Sequence, residues 1–320
     1  MKLTVSSQSF RVAGNFTISR GSKTAAEVIL VELQDGGYSG RGEGVPYARY
    51  GETVELCINA LQDNAAAIER GDMPLDLPQA ARNALDCAHW DLTAKKSGVP
   101  AYQAAGLKTL NSRTTSYTLS LDTPDNMAKA ALKSAHLPLL KLKLGREGDE
   151  ERLAKVREAV PHARLIADAN EGWSEATLPV MLRACVRYEL ELVEQPLPQG
   201  QDDILRTLQR GVLVCADESA HNTGSLVDLR GKYDAVNIKL DKTGGLTEAL
   251  TMAAAARTDG IKIMVGCMLA SSLAMAPAFI IAQNADYIDL DGPLLLAEDR
   301  SPAITYVNAV MQPPLAALWG

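Results

Sequence analysis

Six charged residues recur at nearly even intervals from residue 143 onward, each at the end of a short apolar segment. They are Lys143, Asp168, Glu194, Asp217, Lys239 and Asp289. The intervals are 25, 26, 23, 22 and 50 residues, the last equal to two repeats of 25. A repeated strand and helix of this length would place each charge at the carboxyl end of a strand. In a β/α barrel those ends meet at one mouth, where active sites are built.

Three of these residues are carboxylates on successive segments. Asp168, Glu194 and Asp217 offer hard oxygen ligands, and no histidine or cysteine accompanies them in this pattern. Such a donor set suits magnesium, which shares its coordination shell with water and substrate oxygens. The sequence therefore predicts one Mg²⁺ per active site. The alternative is that some of the three acids only pair with lysine or arginine.

Two lysines precede the carboxylates and one follows them. Lys141 and Lys143 are two residues apart on a predicted strand, so their side chains point to the same face. Repulsion between the two ammonium groups is expected to lower the pKa of each from the usual value of about 10.4, which would make them usable bases. Lys239 lies further round the barrel and is expected to approach the same point from the opposite side. A solvated strand edge is the alternative for Lys141 and Lys143.

Two lysines on opposite faces of one carbon can remove a proton from one side and return a proton to the other. A metal that held the neighbouring carboxylate would stabilise the negative charge of the enediolate. These groups predict racemisation or epimerisation, although the same groups also support elimination or cycloisomerisation.

The segments between these charges predict the fold. From about residue 113, eight apolar strands alternate with helices such as 149–159, 174–188 and 246–258. The predicted strands are Thr115–Leu119, Leu139–Leu144, Leu165–Asp168, Leu192–Glu194, Leu213–Asp217, Ala235–Leu240, Lys262–Val265 and Tyr287–Asp289. Eight strands in about 190 residues are typical of a β/α barrel rather than an open sheet.

The first 110 residues have a different pattern, which predicts an α+β module. Residues 1–43 read as alternating strands with a turn at 35–37, and helices are predicted at 53–70 and 79–97. The aromatic turn 46–50 and four glycines predict two flexible loops. These glycines are Gly21, Gly42, Gly44 and Gly51.

Composition excludes several classes of protein. A net charge of -7 and a pI near 5.3 argue against nucleic-acid binding. The longest apolar run, 273–282, is too short to span a bilayer, so no membrane association is expected. Five scattered cysteines and a polar N-terminus predict reduced thiols in a cytoplasmic protein. Assembly into a homo-oligomer is left open.

Five motifs resemble the enolase superfamily, and specifically its muconate-lactonising-enzyme subgroup. The motifs are KLKLG (141–145), ADANEGW (167–173), VEQPLP (193–198), ADES (216–219) and NIKLDKTGG (237–245). The resemblance implies a modified (β/α)7β TIM-like barrel at 113–298 with an N-terminal α+β capping domain at 1–112, to which the tail 299–320 returns. It also implies that Asp168, Glu194 and Asp217 bind magnesium, that Lys143 and Lys239 form the acid/base pair, and that Lys141 is a supporting cation.

Within the superfamily the chain is most similar to dipeptide epimerases. Asp289 and Asp291 would hold the free ammonium of a dipeptide, and Arg20 would pair with an acidic side chain. Thr118 and Cys267 match substrate-contacting positions. The implied reaction is epimerisation at the α-carbon of the C-terminal residue, interconverting L-Ala-D-Glu and L-Ala-L-Glu in murein peptide metabolism.

Four alternatives remain open at this point. They are a dipeptide epimerase for another side chain, an o-succinylbenzoate-synthase-like enzyme, a Schiff-base lyase and a non-catalytic binding barrel. The pair Asp289 and Asp291 disfavours the synthase, whose substrate has no ammonium group.

Overall fold

The computed structural model describes the backbone of residues 1–320 and every side chain except that of Asn15. The N-terminal part is a three-stranded antiparallel sheet covered by helices. Its strands are β1 (Lys2–Ile18), β2 (Gly21–Asp35) and β3 (Tyr38–Gly44), in that order. Its helices are α1 (Val54–Asp63), α2 (Ala65–Arg70), α3 (Gln79–Ser97) and α4 (Ala101–Ala104).

The predicted turn at residues 35–37 is confirmed, because Asp35 pairs with Tyr38 across the β2–β3 hairpin. The predicted helix 53–70 is instead two helices separated by Asn64. The side-chain amide of Asn64 donates to the carbonyl of Ala60, so this residue ends α1 just before α2 begins. A side chain that bonds its own backbone in this way competes with helix continuation.

Of the four glycines assigned to flexible loops, Gly21 begins β2 and two others lie inside a strand. Gly42 and Gly44 belong to β3, which packs directly on α3. A Cβ atom on Gly42 would lie 2.0 Å from the carbonyl oxygen of Ala84, and one on Gly44 would lie 2.2 Å from that of Ala80. The glycines are therefore needed for close approach of strand and helix, and the flexible-loop prediction is wrong for both.

Replacing Gly42 by alanine is expected to destabilise the protein by about 3 kcal/mol, because backbone atoms on both sides must move to admit the methyl group. Urea unfolding followed by circular dichroism measures the loss. Gly224→Ala is the control, since its added methyl would meet only the side chain of Asn222, at 3.2 Å. Equal stability of the Gly42→Ala variant and the wild type would contradict this account of the packing.

The rest of the chain forms a barrel of eight parallel strands. The strands are β5 (Tyr117–Leu119), β6 (Leu139–Lys143), β7 (Arg164–Asp168), β8 (Leu190–Glu194), β9 (Leu213–Ala216), β10 (Ala235–Ile238), β11 (Lys262–Gly266) and β12 (Tyr287–Asp289). They lie side by side in chain order, and the amide of Ser116 donates to the carbonyl of Ile288 where the two edges meet. The predicted α/β barrel with a separate N-terminal domain is confirmed.

Helices follow most of the barrel strands. They are α5 (Pro124–Lys133), α6 (Asp149–Ala159), α7 (Leu178–Arg187), α8 (Leu226–Leu229), α9 (Leu240–Thr243), α10 (Leu246–Thr258) and α11 (Ser272–Ala282). The connection after β8 carries a single 3-10 turn, Asp203–Arg206, in place of a full helix. The predicted helix 174–188 begins at Leu178, because Ser174 and Thr177 bond to each other in a preceding turn.

The C-terminal tail contacts both parts of the chain. Strand β14 (Val310–Met311) pairs with β13 (Tyr306–Val307) and with β4 (Arg113–Thr114). At the end of the chain, the indole of Trp319 donates to the carbonyl of Cys87 on α3. The domain bounds 1–112 and 113–298, with the tail 299–320 returning to the first domain, stay a prediction.

Among the described residues, no helix has the length and apolar character needed to cross a membrane. The apolar run at 273–282 lies within α11, a helix that is almost completely buried between the barrel and the capping domain. All five cysteines are free thiols, and Cys267 is the most accessible of them.

Candidate active site

Three carboxylates converge at the mouth of the barrel. Asp168 ends β7, Glu194 ends β8 and Asp217 directly follows β9, and one oxygen from each lies within 4.8 Å of the others. All three are buried. Oε2 of Glu194 has no hydrogen-bond partner among the described residues, although Nζ of Lys141 is 2.5 Å away as an ion pair. Three buried carboxylates that lie this close together offer hard oxygen ligands that fit a divalent cation such as magnesium.

Neighbouring side chains hold the triad in place. Asn170 donates to both oxygens of Asp168 from its backbone amide and its side chain, at 2.9 and 3.0 Å. Asn237 donates to Oε1 of Glu194 at 2.7 Å. Nζ of Lys242 lies 2.5 Å from both the backbone carbonyl oxygen and Oδ1 of Asp217. Sequence reasoning missed these three residues, although each lies within a quoted motif.

The two lysines predicted to exchange protons lie on opposite sides of the triad. Lys143 ends β6, and its Nζ is 2.6 Å from Oδ2 of Asp168. Lys239 directly follows β10, and its Nζ is 2.7 Å from Oδ2 of Asp217. The strand order places Glu194 midway between these two ion pairs. The amines therefore flank the carboxylates from two directions.

The prediction that lysine–lysine repulsion lowers the pKa of Lys141 is wrong. Burial does lower it, but the charges of Asp289, Glu194 and Asp168 outweigh burial and raise the pKa well above its ordinary value. Nζ of Lys141 lies 2.6 Å from Oδ2 of Asp289 and 3.5 Å from Oδ2 of Asp168. The pKa of Lys239 is also raised, because Asp217 and Glu194 outweigh the opposing effect of burial.

The two acids near the eighth strand already have partners in the protein. Asp289 accepts from the hydroxyl of Ser116 at 2.7 Å and from Lys141. Oδ2 of Asp291 accepts from the backbone amide of Thr118 at 2.6 Å. Burial and the charge of Asp289 raise the pKa of Asp291 to about 7. The structure thus brings together Asp289, Asp291 and Thr118, the three residues near the eighth strand that are predicted to contact substrate.

A cavity of about 440 Å³ opens above these groups, between the barrel and the capping domain. Lys143 and Lys239 form its floor, Cys267 lies on one wall, and Tyr47 and Tyr50 lie on the capping side. Its volume is suited to a small ligand of dipeptide size. The thiol of Cys267 has a raised pKa because of burial and the charges of Asp289 and Asp291.

Arg20 reaches into this cavity from the capping domain, between β1 and β2. Its Nη2 donates to Glu218 at 2.7 Å and to the hydroxyl of Tyr47 at 3.1 Å. Its Nη1 donates to the carbonyl of Asn170 at 3.0 Å and to Glu171 at 3.3 Å. Arg20 therefore joins the capping loop to loops that follow β7 and β9.

A second arginine joins the other capping loop to the barrel. Arg49 donates to both oxygens of Glu171, at 3.0 and 2.9 Å, and the amide of Gln199 also donates to this carboxylate. Asn170 and Glu171 both have positive φ, 45° and 64°, a conformation that is uncommon outside glycine. The loop after β7 thus holds an unfavourable backbone shape while Glu171 contacts both capping arginines.

The capping domain is also anchored by a buried carboxylate. Oδ1 of Asp241, on α9, accepts from the amide of Val45 at 2.9 Å and from the side chain of Asn83 at 2.8 Å. Burial, reinforced by the nearby acids Glu52 and Glu43, raises the pKa of Asp241 to about 7. This anchor lies at the base of the aromatic loop that covers the cavity.

Because the folded-state pKa of Asp241 is raised, folding favours its protonated form. The contribution of Asp241 to the stability of the wild type should therefore be lost as the pH rises from about 4 to about 7, and Asp241→Asn should not show this loss. Between pH 5 and pH 8 the variant is expected to gain on the order of 2 kcal/mol relative to the wild type. Urea unfolding at both pH values measures this difference, with the exposed Asp76→Asn as control. A difference that does not change with pH would contradict the prediction.

Comparison with protein families accounts for both domains. A model described as "Enolase C-terminal domain-like" matches residues 125–316. A second, described as "Mandelate racemase / muconate lactonizing enzyme, N-terminal domain", matches residues 1–106. The chain belongs to the enolase superfamily. The resemblance seen in the five motifs is confirmed.

Two similar relatives match nearly their whole length. An N-acetyl-D-glutamate racemase from Pseudoalteromonas sp is 43% identical over 300 residues, which cover 92% of this chain and 95% of the relative. An L-Ala-D/L-Glu epimerase from Escherichia coli (strain K12) is 41% identical over 300 residues, covering 92% and 94%.

Solved structures show the same architecture. An enolase family member from Agrobacterium tumefaciens, described as homologous to dipeptide epimerases with bound sodium and L-Ala-L-Glu, is 48% identical, with a TM-score of 0.97 and 99% of both chains covered. A dipeptide epimerase from Enterococcus faecalis V583, complexed with Mg and L-Leu-L-Tyr, is 29% identical with a TM-score of 0.90, covering 98% of this chain and 96% of that one.

Proposed function

We propose that this superfamily member is a magnesium-dependent isomerase that epimerises dipeptides at the α-carbon of the C-terminal residue, with L-Ala-D-Glu and L-Ala-L-Glu as its substrates. The observation that carries the proposal is the position of two buried lysines, Lys143 and Lys239, on opposite sides of the carboxylate triad. The relatives that act on L-Ala-D/L-Glu and the dipeptide-bound structures support the substrate class.

The chain's own residues account for each requirement of a two-base proton transfer. Asp168, Glu194 and Asp217 would hold Mg²⁺, which supplies positive charge beside the substrate carboxylate when bound. Lys239 owes its raised pKa to the charges of Asp217 and Glu194, which a bound metal would offset. The flanking lysine that is then neutral removes the α-proton, and the other, protonated, delivers a proton to the opposite face. The reverse reaction exchanges their parts, so the enzyme acts on both epimers.

Other residues position the substrate. Lys141 lies beside the triad and adds a fixed positive charge near the carboxylate whose α-carbon is being deprotonated. Asp291, supported by Thr118, faces the end of the cavity suited to a free amino group, and Cys267 borders the same region. Arg20 approaches from the capping domain, where it can meet an acidic side chain. The two tyrosines of the capping loop exclude water from the reacting carbon.

A second candidate is racemisation of N-acylated glutamate that has no ammonium group. The specific observation is that the charge of Asp289 is already paired with Lys141, while Asp291 has a pKa of about 7 and can be present as a neutral acid. A neutral carboxylic acid can donate to the carbonyl of an acetyl group. The 43% identical racemase of N-acetyl-D-glutamate supports this candidate.

The two candidates are separated by proton exchange in deuterated water with Mg²⁺. Loss of the α-proton signal in ¹H NMR is followed for L-Ala-L-Glu, L-Ala-D-Glu, N-acetyl-L-glutamate and L-Ala-L-Leu. We expect exchange and epimerisation of both Ala-Glu epimers, abolished by a chelator and restored by Mg²⁺. Faster turnover of N-acetylglutamate would favour the second candidate. Exchange in none of these compounds, or exchange that survives chelation, would overturn the proposal.

The same reaction suits a cytoplasmic enzyme of murein peptide metabolism, where an epimerised dipeptide becomes a substrate for ordinary peptidases. The five free thiols support a reducing compartment.

Sedimentation velocity of the purified protein measures whether its subunits assemble into a homo-oligomer.

A further inference from the structure

Glu218 lies between Arg20 and the metal-binding triad, and the proposed reaction does not use it. The residue is 1% exposed and lines the cavity. Its Oε1 accepts from Arg20 at 2.7 Å, while its Oε2 has no hydrogen-bond partner among the described residues. A buried carboxylate oxygen without a donor is costly, so its retention beside a ligand cavity suggests that it acts on the ligand.

Both terminal nitrogens of Arg20 already donate to protein atoms in this structure. Its two terminal nitrogens make four donations, to two carboxylates, one carbonyl and one hydroxyl. A substrate carboxylate that binds side-on to a guanidinium needs two of its N–H groups. At least one existing contact must therefore be given up. Of the two carboxylates that accept from Arg20, Glu218 is the one that lines the cavity, so an incoming acid competes with Glu218 for the same donor.

The charges around Arg20 balance without a substrate. Arg20 and Arg49 contribute two positive charges, and Glu171 and Glu218 contribute two negative charges when both are ionised, all joined by ion pairs of 2.7 to 3.3 Å. Burial and the charges of Asp217 and Asp168 raise the pKa of Glu218 to about 7, so this balance applies above that pH. An acidic side chain added to this group gives it a net negative charge, whereas a neutral side chain leaves Arg20 paired and the group neutral.

We propose that Glu218 is a specificity-determining residue that acts through Arg20: it supplies an internal counter-charge that limits the preference for acidic over neutral side chains in the substrate. This inference rests on the proposed function. Without Glu218 the group around Arg20 would be positive and would favour an acidic side chain more strongly. With it, the site keeps Arg20 paired when a neutral side chain binds, which broadens the range of substrates.

The test compares L-Ala-L-Glu with L-Ala-L-Gln, which have nearly the same shape and differ in side-chain charge. The ratio of their kcat/KM values cancels any effect of a substitution on the metal or on proton transfer. In Glu218→Gln we expect this ratio to rise about tenfold, equal to about 1.4 kcal/mol, and to fall towards the wild-type value at high salt. In Arg20→Gln we expect the ratio to drop, and in the exposed surface control Glu175→Gln we expect it to stay at the wild-type value.

A double variant distinguishes action through Arg20 from a general effect of charge. If Glu218 acts through Arg20, adding Glu218→Gln to Arg20→Gln should leave the ratio unchanged. An unchanged or lower ratio in the single Glu218→Gln variant would overturn the inference, and so would a full tenfold rise in the double variant.

The inference can still be tested if Glu218→Gln turns over neither dipeptide. The ratio of the two dissociation constants, measured by isothermal titration calorimetry with Mg²⁺, then replaces the kinetic ratio and carries the same expectations. If the wild type exchanges the α-proton of neither dipeptide, the proposed function fails. If the wild type is active and the ratio does not move, only the assignment of Glu218 fails.

Discussion

Replacing either Lys143 or Lys239 by alanine is expected to lower the rate of Ala-Glu epimerisation by at least about a thousandfold. Loss of a positioned general acid or base typically costs 10² to 10⁴ in rate. Because epimerisation needs both amines, one substitution should remove nearly the whole activity, and the double variant should be little worse than either single one. Optical rotation or chiral chromatography of the dipeptide measures the rate.

Two controls separate chemistry from folding in this experiment. Each lysine is buried against a carboxylate, so its removal also leaves a buried charge unpaired. Circular dichroism and thermal unfolding must show that each variant is folded at the assay temperature. Lys155→Ala removes a half-exposed lysine that pairs with the exposed Asp125, and it should retain full activity. A folded Lys143→Ala or Lys239→Ala variant within tenfold of the wild type would contradict the two-base account.

Replacing Glu194 by glutamine is expected to have opposite effects on activity and on the stability of the metal-free protein. Three buried carboxylates crowd within 4.8 Å, and removal of the central charge relieves their repulsion. The metal-free variant should therefore be more stable than the metal-free wild type. Its affinity for Mg²⁺ and its kcat/KM should each fall by about 10³, because one hard ligand of three is lost.

Thermal unfolding with and without Mg²⁺ measures both effects. A ligand that binds only the folded state at one hundred times its dissociation constant stabilises the protein by about 2.7 kcal/mol. The wild type should show this gain, whereas Glu194→Gln should show almost none at the same Mg²⁺ concentration. Glu191→Gln is the matched control, because Glu191 lies on the same strand but pairs with Arg164 away from the mouth. Equal Mg²⁺ stabilisation of Glu194→Gln and wild type would contradict the assignment of the ligands.

Much of the site is readable from the sequence because of a property of parallel barrels. Each strand carries its functional side chain at its carboxyl end, so an even spacing of charges along the chain becomes a ring in space. Asp168, Glu194 and Asp217 therefore converge as their spacing predicts. Lys143 and Lys239 flank them because their strands lie on either side of the three.

Features that depend on distant partners could not be read in the same way. Gly42 packs against α3, whose contacting carbonyl belongs to Ala84, 42 residues later. Burial lowers the pKa of Lys141, but carboxylates on three other strands outweigh burial and raise it. Glu218 follows a predicted metal ligand directly, yet only the folded chain shows that Arg20, about 200 residues earlier, is its partner.

The central claim is that two amines serve opposite faces of one α-carbon, and single-isomer exchange tests it most directly. Lys143→Ala and Lys239→Ala are each incubated with pure L-Ala-L-Glu or pure L-Ala-D-Glu in deuterated water with Mg²⁺, and α-deuterium is measured by mass spectrometry. Each variant should exchange only the epimer whose α-proton faces its remaining lysine, so the two variants should show opposite selectivity. Exchange of the same epimer in both variants, or of both epimers in either one, would contradict the account.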